Sequence, residues 1–164
     1  MAAKAADNKE VRIMGIALSG PDISTDLPPS GFFRLRRDLA YLISKKAGDL
    51  YDKMIEINLS GTEQQKKTWV EAMNHELDTY IAVHGKRYEK VCDFLFMSDC
   101  DGRISYATCK RIVGLINSTD IIRRDVSMDT VYGYAGWGDK ACKGKDVYEI
   151  LKNCADAKKP LIWY

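Results

Sequence analysis

Cys92-Asp-Phe-Leu-Phe-Met-Ser-Asp-Cys-Asp-Gly-Arg-Ile-Ser105 decides how the chain is divided, because an apolar run ends abruptly in two carboxylates and a glycine. Val91 to Met97 is apolar on both faces except at Asp93, the pattern of a central strand covered on two sides. Asp99 and Asp101 then converge where that strand would hand over to a helix, a position at which α/β proteins commonly place ligands. Ser105 can cap this helix, whose Tyr106, Cys109, Ile112, Val113 and Ile116 share one face and which Asn117-Ser118-Thr119 closes.

Upstream, Val11 to Leu18 predicts a mostly apolar strand, closed by Ser19-Gly20-Pro21-Asp22 and a loop reaching Pro28-Pro29. From a cap at Ser30, Phe32, Leu35, Leu39, Leu42, Ile43, Leu50, Met54 and Ile57 recur at helical spacing. They predict one long helix that Gly48 weakens without breaking. Thr62-Glu-Gln-Gln65 has the form of a capping box, in which hydroxyl and amide satisfy each other's backbone donors. The helix it opens carries Trp69, Val70, Met73, Leu77, Tyr80, Ile81 and His84 on its expected buried face and ends at Gly85. The two helices would pair as an antiparallel hairpin.

Downstream, Val131-Tyr-Gly-Tyr-Ala135 suits a strand, and Gly136 to Lys145 a loop bearing Trp137, Lys140 and Lys143. Asp146-Val-Tyr-Glu149 offers an acidic N-cap to a final helix with Val147, Ile150, Leu151 and Cys154 as a complete apolar stripe. Lys158-Lys159 suits its end, Pro160 stops it, and Leu161-Ile-Trp-Tyr164 predicts a short strand docked on the core. The whole predicts an α/β or α+β fold. It also predicts a disordered tail over residues 1–10 and a single domain over 11–164, with a small mixed sheet of about four strands, the long helical hairpin and two shorter helices.

Twenty-five basic and 23 acidic residues leave the 164-residue chain at net +2, so charge does not indicate nucleic acid. Arg34, Arg36 and Arg37, Lys45-Lys46 and Arg123-Arg124 form local basic clusters that read as solvated faces. Five cysteines without a CxxC pair argue against a disulfide framework and for reduced thiols. No apolar signal core opens the chain and no apolar run approaches bilayer length, so the expected location is cytoplasmic, without membrane contact.

Asp99-x-Asp101-Gly102 after an apolar run resembles the opening motif of haloacid-dehalogenase-type phosphatases, which implies a nucleophilic first aspartate and a general acid in the second. Here the motif comes late in the chain, and Arg103 stands where a threonine is usual. A calcium loop would place Met97 at the first carboxylate ligand and Thr108 at the bidentate glutamate, leaving too few oxygens. Gly138 to Asp146 is no P-loop, because one residue too many separates the glycines and Asp146 replaces the magnesium-binding hydroxyl. His75 and His84 lack metal-ligand spacing, and Cys100, between two aspartates, is a poor nucleophile. The sequence therefore assigns no catalytic residue, no metal ligand and no cofactor. A tight turn at Asp101-Gly102, with Asp99 serving backbone donors, is the plain structural alternative.

Gly31-Phe-Phe-Arg-Leu-Arg-Arg-Asp-Leu-Ala40 and Ser98-Asp-Cys-Asp-Gly102 together resemble a group of small bacterial and phage proteins. That group pairs a Gly-Phe-x-x-aromatic-Arg helix start with a Ser-Asp-Cys-Asp-Gly turn. Leu35 stands at the aromatic position, and Met97 where the group has histidine. The resemblance implies a bacterial or phage origin and carries over no activity. The expected function is a non-enzymatic binding protein of immunity-protein or phage-encoded host-factor-inhibitor type. It would recognise a protein partner through Asp99, Asp101 and Arg103 with Trp137, Lys140 and Lys143. The alternative is a small metal-assisted hydrolase or phosphotransferase using Asp99 and Asp101.

Overall fold

The structure, a computed structural model, describes residues 16–27, 29–118 and 144–164. The expected tail at 1–10, the strand at 131–135 and the loop residues Trp137, Lys140 and Lys143 lie outside the described residues. Strands β1 (Ile16–Ser19) and β2 (Ser24–Leu27) come first, then helices α1 (Pro29–Ile43), α2 (Lys45–Asp52), α3 (Met54–Ser60) and α4 (Glu63–His84). A 3-10 turn (Lys86–Tyr88), α5 (Glu89–Phe94), β3 (Gly102–Ile104), α6 (Tyr106–Ser118), α7 (Gly144–Ala157) and β4 (Leu161–Trp163) follow.

The architecture is α+β, with one four-stranded sheet in the order β2-β1-β4-β3. Every pairing among the described strands is antiparallel, where a mixed sheet was expected. The tight turn after Ser19 folds β2 back on β1, and β4 enters between β1 and β3 from the end of α7. Strand alternation buries Ile16, Leu18, Ile104, Leu161 and Trp163 on one face and leaves Arg103 and Ile162 exposed on the other.

The segment expected to be the second strand is instead helix α5. Val91, Cys92, Phe94 and Leu95 are all buried while Asp93 is exposed. That spacing places the apolar residues on one helical face and the carboxylate on the other. A short apolar run does not separate a buried strand from a buried helical turn by periodicity. The preceding 3-10 turn feeds directly into this helix.

The long first helix is also broken. Ser44, in extended geometry, caps α2 by accepting from the Ala47 amide at 3.0 Å, and its hydroxyl lies 3.2 Å from Glu76 Oε2 on α4. The bend lays the Tyr41 ring over Gly48, where a Cβ would overlap the ring atoms. Gly48→Ala is therefore expected to destabilise the fold by about 1–3 kcal/mol through overpacking. Helix propensity alone would stabilise the variant by up to about 1 kcal/mol, so the sign in urea unfolding decides: a stabilised variant would show that the ring is elsewhere. A second break at Lys53 starts α3, which buries none of its residues.

One helix matches its sequence signals at both ends, and a second matches in its apolar stripe while starting at Gly144, two residues before the expected cap at Asp146. Thr62 and Gln65 form the full capping box of α4, at 3.1 and 2.8 Å, and Gly85 ends it at φ 110°. Met73, Leu77 and Tyr80 are its buried residues, whereas Val70 and His84 are exposed. In α7 the stripe Val147, Ile150, Leu151 and Cys154 is wholly buried. Lys158, at φ 55°, takes the left-handed position after that helix, and the Lys159 amide returns to Cys154 O at 3.0 Å. The chain then runs from Pro160 into β4, docked as expected.

Candidate functional site

The acidic turn between α5 and β3 is held from beneath. At its start, the Tyr51 hydroxyl donates to Leu95 O at 2.9 Å. At its centre, Ser98 O accepts from Trp163 Nε1 at 2.9 Å and from Arg36 Nη2 at 3.2 Å. The Cys100 amide turns back to Ser98 Oγ at 3.2 Å. At its end Gly102 pairs with Trp163 across the β3–β4 ladder, and a Cβ there would overlap the indole. Glycine is required at that position by close approach of the ring.

The floor under the turn is aromatic. Phe32, Phe94 and Trp163 contact one another with ring centroids 5.6 to 5.9 Å apart. The Arg36 guanidinium lies 4.2 Å from the Phe32 centroid and 5.2 Å from that of Phe94. Arg36 is only 5% exposed, which corrects its reading as part of a solvated basic face. Burial lowers its pKa from the ordinary value, while the fields of Tyr51 and Asp99 act to keep it charged. Burial likewise pushes the Tyr51 hydroxyl up to about 12, against the Arg36 charge. The phenol thus keeps its proton, and phenol and guanidinium both donate to the turn.

Above this floor Asp99, Cys100 and Asp101 are exposed, and neither carboxylate forms a salt bridge among the described residues. Arg103 follows on the outer sheet face opposite Ile162, which is 43% exposed, and Phe96 adds a further exposed apolar surface at 45%. Asp99, Asp101 and Arg103 are therefore brought together on one turn and strand. Among the described residues no three His, Cys, Asp or Glu side chains gather to hold a metal ion, and His84 stacks on Tyr80 at 4.1 Å.

Arg36, Tyr51, Phe32 and Trp163 carry the turn, and sequence reasoning assigned none of them to the site. One signal existed: Arg36 falls between Leu35 and Leu39 and four residues after Phe32, inside the apolar stripe of its own helix. No family model, no curated protein and no solved structure matches the chain. No helix among the described residues is long and apolar enough to cross a membrane.

Proposed function

We propose that the protein is a non-enzymatic binding protein, of immunity-protein or host-factor-inhibitor type, whose acidic turn engages a basic patch on a protein partner. The observation that carries this reading is the contrast within the turn. Its backbone is fixed by Tyr51, Arg36 and Trp163, yet its two carboxylates are exposed and make no salt bridge among the described residues. A preorganised charged surface avoids part of the ordering cost of association, and complementary charge steers encounter and fixes orientation. Arg103, two residues after Asp101, and its cross-strand partner Ile162 supply an exposed mixed edge on the adjoining strands. Trp137, Lys140 and Lys143 belong to the proposed surface through their sequence alone.

The test is Asp99→Asn combined with Asp101→Asn. Because both side chains are exposed, stability in urea is expected to stay within about 0.5 kcal/mol of the parent. Capture from the native host should then retain a stoichiometric partner on the parent and lose it on the variant. A variant that unfolds would assign the carboxylates to holding the turn, and one that retains the partner would remove them from recognition.

A further inference from the structure

We propose that β3 is a pairing edge for a second copy of this chain, joined antiparallel about a two-fold axis at Gly102 so that Asp101 of each copy meets Arg103 of the other. Among the described residues β3 is one of the two edges of the sheet, and Asp101 and Arg103 are both exposed. The ladder shows which backbone groups this edge offers. Ala17 and Tyr164 exchange both hydrogen bonds, Ala17 N to Tyr164 O at 2.9 Å and Tyr164 N to Ala17 O at 3.2 Å. Bonded and non-bonded pairs alternate along an antiparallel ladder, so Tyr164 and Ile162 turn their groups to β1 while Trp163 and Leu161 turn theirs to β3. Opposite them stand Gly102 and Ile104, which leaves the Arg103 amide and carbonyl pointing out from the sheet.

The charge pattern of this edge selects the occupant. Side chains two apart share a sheet face, so Asp101 and Arg103 present an acidic-x-basic order once pairing lengthens β3 by one residue. Reversed, as in an antiparallel partner, that order is its own complement. With Gly102 opposite Gly102 of the copy, each Arg103 exchanges backbone hydrogen bonds with Asp101 across the junction, at a Cα separation of about 5.5 Å. Two cross-strand ion pairs form on the outer face. The non-bonded pair, where facing side chains come closest, falls on Gly102, which has none. The other edge lacks this property, because β2 exposes Ser24 and Asp26 and carries no basic residue to meet the carboxylate.

Charge on an edge strand ordinarily guards it against pairing with other chains. On β3 the charges match those of an identical edge, so the same residues that turn away unlike strands admit a second copy in one register. The junction is isologous and closes at two copies. A three-residue strand buries less than the roughly 1,200 Å² of a stable interface, so the dimer is weak and forms at high concentration. Asp101 also belongs to the surface proposed for a protein partner, and a paired copy excludes that partner from it. The pairing itself rests on β3 alone.

The experiment is sedimentation of the purified full chain from micromolar to millimolar concentration, with reductant so that the exposed Cys100 does not cross-link copies. The parent should move from the monomer toward twice the monomer mass, and added salt should reverse the shift. Asp101→Arg and Arg103→Asp each give the edge two charges of one sign, so each variant alone should stay monomeric with the parent's urea midpoint. Mixed in equal amounts, the two variants should associate, because every basic position then faces an acidic one. In the parent, hydrogen exchange at the Arg103 amide should slow as concentration rises. A parent that is monomeric throughout, single variants that still dimerise, a mixture that does not associate, or Arg103 exchange that ignores concentration would overturn the proposal.

Discussion

Trp163→Ala is expected to destabilise the protein by about 3–5 kcal/mol, the range for removing a buried aromatic side chain. Trp163 is 1% exposed and packs on both Phe32 and Phe94, with centroids 5.6 Å away in each case. Its truncation leaves a cavity at the junction of α1, α5 and the sheet, and it removes one of the two donors on Ser98 O. The surroundings do not collapse easily, because Gly102 has no side chain to advance into the space. Deleting residues 160–164 should be at least as damaging, since it also removes buried Leu161 and the strand joining β1 to β3. Urea unfolding of the two variants is the measurement. A deletion variant with the parent's midpoint would place the C-terminus outside the core.

Leu151→Ala is expected to cost about 2–5 kcal/mol through lost burial and a residual cavity. Leu151 is 1% exposed in the apolar stripe of α7, between the fully buried Ile150 and Cys154, on the helix that packs against α6, β1, β2 and β4. With α6 on one side and the sheet on the other, the site has little freedom to close over the missing methyl groups. The same unfolding experiment decides, and a loss below about 1 kcal/mol would mean that α7 is only loosely seated. Lys152, one residue further on and exposed, is the natural control.

The elements legible in the sequence were those whose signals are local. The capping box of Thr62 and Gln65 and the stripe from Val147 to Cys154 need no distant partner to be recognised, and both lie in helices, although α7 begins at Gly144, two residues before the expected cap at Asp146. Val91 to Met97 was misread as a strand because its burial comes from tertiary contacts, and a turn of helix buried on one side is as apolar as a strand. The breaks at Ser44 and Lys53 were missed for a related reason. Apolar spacing continues across them, while the bend depends on Ser44 capping α2 and on the Tyr41 ring over Gly48. Of the candidate site, the exposed carboxylates and Arg103 were legible. Their support was not, because Arg36 and Trp163 reach Ser98 from 62 and 65 residues away in the chain.

The central claim is that exposed charge on a rigid turn recognises a basic protein partner, and it is tested most directly by titrating the captured, purified partner at several salt concentrations. Parent affinity should fall as ionic strength rises. The Asp99→Asn, Asp101→Asn variant should bind about tenfold more weakly or worse at low salt, a loss of about 1.4 kcal/mol or more, and should depend less on salt. Equal affinity of parent and variant across the salt series would contradict the account and assign the turn a structural role alone.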